Sequence, residues 1–119
     1  MKRDWQKLEE VLTHFEREDI EDALGVYGSI ATPEEDIFCG HILLAIDAGL
    51  VTGFSLKKTN DSWMMGSSNP RLTMLGHDTL DALRSKTVWG KVKTLALEAR
   101  VPITVELINK AVSLLVRQM

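Results

Sequence analysis

The chain lacks the features that would place it outside the cytoplasm or in a membrane. Its single cysteine, Cys39, excludes an internal disulfide and fits a reducing compartment. Long apolar runs are missing too, because the charge-free stretch over residues 37–46 is about half as long as a membrane span requires. Residues 1–7 are polar and charged, unlike a secretory signal. We therefore expect a cytoplasmic protein with no membrane partner.

The common motifs of catalysis are also missing. The sequence contains no phosphate-binding loop, nucleophile elbow or metalloprotease motif. His77 and Asp81, with Asp78 adjacent, have a spacing that can hold a metal ion, but no second cluster offers the remaining ligands. Cys39 and His41 lie about 200° apart around a helix and cannot share a ligand site. We expect no enzyme, metal or cofactor; a metal-dependent enzyme at His77, Asp78 and Asp81 is the weaker alternative.

Charges of the two signs are concentrated in different halves of the chain. Residues 1–50 carry four Lys and Arg against twelve Asp and Glu, whereas residues 51–119 carry ten against five. Such a polarised chain has a sizeable electric field, which affects how it meets and orients partners rather than how it folds.

The first fifty residues predict two main helices. Apolar residues at helical spacing predict an amphipathic helix over residues 4–17 with Asp4 as its N-cap. Thr32 and Pro33 begin a second helix that runs to residue 48, where Gly49 ends it and Leu50 packs back. We expect this helix to be deeply buried through Ile37, Phe38, Leu43, Leu44 and Ile46. Between the helices the pattern indicates one helical turn and a short strand around residues 26–30.

The second half predicts a β-hairpin followed by helices. Thr52, Phe54 and Leu56 alternate with polar residues, as in a half-exposed strand. Residues 57–62 form the turn, Trp63 begins the return, and residues 66–70 are interpreted as a loop. Three further helices then fill residues 74–118, with Thr73, Thr87 and Thr104 as their caps. A close backbone approach is expected at Gly76.

This order of elements predicts an α+β, mostly helical fold. A helix, a hairpin and a helix in succession are the outline of a winged helix-turn-helix domain. We therefore expect one domain over residues 1–119, with a wing of two or three strands at about residues 51–73 and added C-terminal helices.

The chain also resembles a family of short bacterial and phage proteins known only as a domain of unknown function. The resemblance spans nearly the whole chain, and its most specific part is the pattern R-L-T-x-x-G-H-D-x-L-D that begins at Arg71. It implies a winged-helix fold and a bacterial or prophage origin, but no activity. The chain departs from the family at Met74, where many relatives carry an aromatic residue, and at Thr79, where many carry Phe. Other matching residues are Met1-Lys2-Arg3-Asp4, His41-Ile42-Leu43-Leu44, Ala48-Gly49-Leu50-Val51 and Trp89.

Binding to duplex DNA is the first functional hypothesis, since it is the usual role of the fold. The helix before the wing normally enters the major groove, but here it contains no Lys or Arg and begins with Glu34, Glu35 and Asp36. The carboxylates disfavour DNA there, although they also complement the helix dipole. Binding through the wing and the next helix junction remains open, against the alternative of a solvated basic face. The candidate nucleic-acid-binding residues are Lys57, Lys58, Arg71, Arg84 and Lys86.

Binding to another protein is the second hypothesis. Trp63, Met64 and Met65 near the hairpin turn suit a protein contact, as in a phage accessory protein that docks on a host factor. The alternative is that Trp63 folds back over the hairpin, and because neighbouring side chains alternate faces, all three cannot be buried on one side. Wide apolar faces on the C-terminal helices also favour a homodimer.

Overall fold

A computed structural model of the protein describes residues 2–25, 32–60 and 62–117. These residues form an α+β, mostly helical structure with one two-stranded antiparallel sheet. The strand predicted around residues 26–30 lies outside the described residues. The elements are α1 (Trp5–Glu16), α2 (Ile20–Leu24), α3 (Pro33–Asp47), β1 (Val51–Lys58), β2 (Trp63–Leu72), α4 (Met74–Arg84), α5 (Lys86–Ala99) and α6 (Val105–Arg117).

The chain divides into two compact units, Met1–His77 and Asp78–Met119. In the first unit, α1 packs on α3 and β2, and α3 packs on β1. In the second, α5 packs on α6. The buried apolar residues of the first unit are Leu8, Val11, Leu12, Phe15, Ile20, Phe38, Cys39, Ile42, Ala45, Leu50, Val51, Phe54 and Leu72. Those of the second are Leu80, Ala82, Val92, Ile108 and Ala111.

Side-chain caps fix where the first two long helices begin. The Asp4 carboxylate accepts hydrogen bonds from the backbone N–H groups of Gln6 and Lys7 at 2.9 and 3.3 Å. The Thr32 hydroxyl accepts from the Glu35 N–H at 3.2 Å, with Pro33 at the first helical position. These caps satisfy N–H groups that have no partner within a helix, which confirms both predicted helix starts.

The buried side of α3 differs from the prediction. Of the five apolar residues expected inside, Phe38 is fully buried, whereas Ile37 is 42% exposed and Leu43, Leu44 and Ile46 are half-buried. The side that faces the core instead carries Glu35, Phe38, Cys39, His41, Ile42 and Ala45. The prediction was wrong because apolar residues occur all around this helix, so their pattern alone does not identify the inward side.

The β1–β2 hairpin, which we call the wing after its place in the predicted fold, contains a bulge in place of the predicted loop. Residues 66–70 belong to β2, so the loop prediction was wrong. Pairing shifts between Thr52–Arg71 and Phe54–Ser67, which leaves Gly53 opposite three residues of β2. Gly53 has a φ of 76°, and a Cβ there would overlap backbone atoms of Ser68 and Asn69. The bulge breaks the predicted alternation, because Val51 rather than Thr52 is buried with Phe54.

The corner between β2 and α4 is locked to the end of α3. Gly49 and Leu50 end α3 by donating backbone hydrogen bonds to the Ile46 and Ala45 carbonyls. The Thr73 hydroxyl accepts from the Gly76 N–H at 3.0 Å and donates to the Gly49 carbonyl at 2.6 Å.

Gly76 lies close against the Leu50 backbone, just after the end of α3. A Cβ at Gly76 would overlap the Leu50 carbonyl oxygen and lie 2.9 Å from its carbon. The Thr73 N–H also donates to the Leu50 carbonyl at 3.0 Å. These contacts confirm the predicted Thr73 cap and the close approach at Gly76.

Of the last two helices, α6 begins at its predicted cap and α5 begins at a different one. The Thr104 hydroxyl accepts from the Leu107 N–H at 3.1 Å, which confirms the predicted cap of α6. At α5 the cap is Ser85, whose hydroxyl accepts from the Val88 N–H at 3.2 Å, and not Thr87. Both residues are good caps in isolation, so composition alone does not separate them.

Candidate functional site

The pairing of β1 with β2 sorts the wing side chains onto two faces. Lys58 is paired with Trp63 and Leu56 with Met65, whereas Lys57 is paired with Met64. Directly paired side chains share a face and successive residues alternate, so Met64 points to the side opposite Trp63 and Met65. The expected alternation of Trp63, Met64 and Met65 between faces is thus present in the hairpin.

The inner face of the wing is tied to the first turn of α3 through Asp36. The Trp63 indole Nε1–H donates to Asp36 Oδ1 at 2.9 Å. Lys58 Nζ lies 3.1 Å from the same oxygen and 5.7 Å from the centre of the Trp63 ring. The Trp63 hydrogen bond, followed by that of Lys58, lowers the pKa of the Asp36 carboxyl below its ordinary 3.8. Sequence reasoning missed this cluster, because its partners are separated along the chain.

Two methionines of the wing and one isoleucine of α3 are exposed. Met64 is 63% exposed, Met65 50% and Ile37 42%, whereas Trp63 is half-buried. We call the Met64 and Met65 pair the methionine ridge. Trp63 therefore anchors the hairpin through Asp36, whereas the methionine ridge leaves one exposed methionine on each face of β2.

The five candidate nucleic-acid-binding residues lie on both units. Lys57 and Arg71 are exposed on the wing, and neither forms an ion pair with another described residue. Lys58 is 48% exposed at its side chain but is held by Asp36. Arg84 and Lys86 are exposed at the end of α4 and the start of α5, in the second unit.

A buried histidine joins α3 to the start of α1. His41 is fully buried, its Nδ1 lies 2.7 Å from the Ile37 carbonyl, and its Nε2 lies 2.9 Å from the Asp4 backbone nitrogen. Because the carbonyl can only accept and the amide can only donate, the ring is the neutral Nδ1–H form. Sequence analysis identified His41 only as one of the residues that match the family, and did not predict this link.

Cys39 lies on the buried side of the same helix. Burial, with the nearby charges of Glu35 and Asp36, raises the pKa of its thiol to about 12. A thiol that stays protonated is a poor nucleophile, which agrees with its predicted place as a small core residue. Glu35 is also buried, and its Oε2 has no hydrogen-bond partner among the described residues.

His77, Asp78 and Asp81 are all exposed on α4. Within the described ranges, no group of three or more His, Cys, Asp or Glu side chains is arranged to hold a metal ion. Among the same residues, no helix has the length and apolar character needed to cross a membrane.

Comparison with known proteins places the chain in a family. The family model described as "Hypothetical protein (DUF2513)" matches residues 2–102. The chain belongs to the DUF2513 family. The matched segment includes α3, the wing, the Thr73–Gly76 corner and α5. A Haemophilus influenzae relative described as an "Uncharacterized protein" is 23% identical over all of this chain and 98% of its own length. No solved structure matches.

Proposed function

We propose that this protein is a winged-helix module that binds another protein through the methionine ridge of its wing. Support for the winged helix is the order α3–β1–β2–α4, with the hairpin between two helices. In that arrangement α3 occupies the place of the recognition helix and the hairpin that of the wing. The proposal is that the protein acts by binding and not as an enzyme.

Exposure of the methionine ridge is the observation that carries the proposal. Trp63 beside it is fixed by Asp36, so Met64 and Met65 stand on a hairpin that is anchored next to its turn. Methionine is flexible and polarisable, which suits it to contacts with partners of varied shape. Met64 and Met65 lie on opposite faces of β2, and each leaves apolar area in water that a partner would cover.

The charges on α3 favour a protein over DNA. Its exposed carboxylates include Glu34 and Asp47, and it has no Lys or Arg to meet a phosphate. The nearest wing cation, Lys58, already neutralises Asp36. Because phosphate contacts supply most of the affinity for DNA, an acidic helix in this place weakens it.

The experiment compares capture of partners by three forms of the protein. The double variant Met64→Ser, Met65→Ser removes the ridge but keeps the Trp63–Asp36 hydrogen bond. Met74→Ser removes an 84% exposed methionine of α4, outside the wing, and is the matched control. We expect the wild type and the control to enrich one and the same protein from a lysate of the source organism, and the double variant not to enrich it. After purification, that captured protein should bind the wild type again. Identical captured sets for all three forms would overturn the proposal.

A DNA-binding regulator that uses the wing is the second candidate. It is favoured by the exposed Lys57 and Arg71, which have no ion-pair partner among the described residues. It predicts binding to duplex DNA at low salt that Lys57→Glu weakens, because fewer phosphate counterions are then released. Absence of binding by the wild type at low salt removes this candidate.

Two further predictions concern the origin of the protein and its oligomeric state. A bacterial or phage origin, which the family resemblance implies, would favour an accessory protein that docks on a host factor as the form of the main proposal. Homodimerisation through the C-terminal helices stays a prediction, and sedimentation equilibrium of the purified chain tests it.

A further inference from the structure

The second unit carries an open groove that is separate from the wing. Its volume is about 470 Å³, and its wall is the end of α5 with the segment that follows. The lining residues are Lys93, Ala96, Leu97, Arg100, Val101 and Ile103. Four of these are apolar and the other two are cations.

The apolar part of the groove is unusually exposed. Leu97 is 79% exposed and Val101 46%. Leu97 lies one turn after Lys93 on the same side of α5, and Val101 follows the left-handed Arg100 that ends the helix. Exposed leucine at this level leaves a large apolar area in water that a partner would cover.

The rim of the groove is positive and its charge is uncompensated. Neither Lys93 nor Arg100 forms an ion pair with another described residue, and both are exposed. The unit Asp78–Met119 carries seven Lys and Arg against four Asp and Glu. A partner that places carboxylates over the rim therefore meets a favourable field.

We propose that this groove binds an acidic amphipathic segment of a partner protein. An apolar side chain of that segment packs on Leu97 and Val101, while flanking carboxylates pair with Lys93 and Arg100. Nucleic acid fits less well, because the lining has no aromatic side chain on which a base can stack. A symmetric dimer through this face also fits poorly, since it would bring the same cations of two copies together.

The test uses synthetic helical peptides and NMR titration of the full chain. One peptide carries a leucine stripe flanked by glutamates, the second has lysines in place of the glutamates, and the third has serines in place of the leucines. We expect the first peptide alone to shift the backbone amide signals of residues 93–103, and the effect to weaken as salt rises. Equal shifts from the first two peptides, or no shifts from the first, overturn the proposal.

Variants of α5 give the matched control. Lys93→Glu alters the groove, whereas Lys86→Glu makes the same charge change at an exposed residue of α5 outside it. We expect Lys93→Glu and Leu97→Ser each to weaken peptide binding by about tenfold or more, and Lys86→Glu to have a much smaller effect. If Lys93→Glu and Lys86→Glu weakened peptide binding equally, the net charge of the protein would explain the loss, which would contradict binding in a defined groove. A dimer in sedimentation equilibrium that Leu97→Ser dissociates would also contradict it, by making a second copy the occupant.

Discussion

Asp36 and Trp63 lie 27 positions apart, yet the indole Nε1 is 2.9 Å from the Asp36 carboxylate. One is in the first turn of α3 and the other begins the returning strand of the wing. Lys58 completes the cluster with its Nζ 3.1 Å from the same oxygen. The cluster changes the interpretation of Trp63 and Lys58. Trp63, a candidate partner contact, instead holds the hairpin in place, and the charge of Lys58, a candidate DNA contact, is neutralised by Asp36.

The cluster predicts a specific loss of stability in acid. The pKa of Asp36 is lower in the folded chain than its ordinary 3.8, mainly through Trp63 and then through Lys58. Its contribution to stability is therefore fully present above pH 3.8 and is lost as the pH falls through the lower folded value. We expect the difference in free energy of unfolding between wild type and Asp36→Asn to be constant near neutral pH and to shrink below pH 3.8 in urea titrations.

Two variants check that the Trp63 hydrogen bond is the cause. Trp63→Phe keeps an aromatic ring but removes the N–H, so the pKa of Asp36, followed by NMR, should rise toward its ordinary value. Glu34→Gln removes a neighbouring exposed carboxylate from the same turn and serves as the charge control. An unchanged Asp36 titration in Trp63→Phe would show that the hydrogen bond does not hold in solution.

A pair of glycine variants tests the corner between α3 and α4. Gly76→Ala places a Cβ against the Leu50 backbone, and we expect the free energy of unfolding to fall by about 3 kcal/mol or more. Gly90→Ala is the control, because a Cβ there has no neighbour within 4 Å. It should raise the free energy of unfolding by about 0.5–1 kcal/mol through better helix propensity. Chemical denaturation of both variants gives the two values, and equal effects would refute the close approach.

Two threonines of the segment that begins at Arg71 should respond in opposite directions when each is replaced by valine. Thr79 is fully buried, and its hydroxyl has no hydrogen-bond partner among the described residues. Thr79→Val keeps the shape and removes that hydroxyl, so we expect a gain of about 1 kcal/mol in the free energy of unfolding. Thr73→Val loses the cap and the bond to Gly49, and should cost about 1–2 kcal/mol. Thermal or urea unfolding that shows destabilisation by both would contradict the orphan hydroxyl.

Features set by neighbouring residues could be predicted from the sequence. Asp4, Thr32, Thr73 and Thr104 cap helices through N–H groups only two or three residues away, so local chemistry identified each start. The Ser85 cap was missed only because Thr87, two residues on, offered the same chemistry.

Features that depend on distant residues could not be predicted in the same way. The bulge at Gly53 exists because β2 carries extra residues opposite it, and one strand's alternation holds no information about its partner. The Asp36 cluster and the His41 bond to Asp4 join residues far apart in the chain, so neither follows from spacing. The residues of the candidate site on the wing were therefore predicted from the sequence. It was not predicted that Trp63 would be held by Asp36 while Met64 and Met65 stay exposed.

Site-specific photocrosslinking in cells of the source organism tests the central claim most directly. A photoreactive amino acid is placed at Met64 on the wing and, as the control, at Arg17, which is also exposed in the first unit. Protein binding by the methionine ridge predicts one discrete protein adduct from position 64 that is missing from position 17 and is lost on adding Met65→Ser. Adducts with nucleic acid, or the same adducts from both positions, would contradict it.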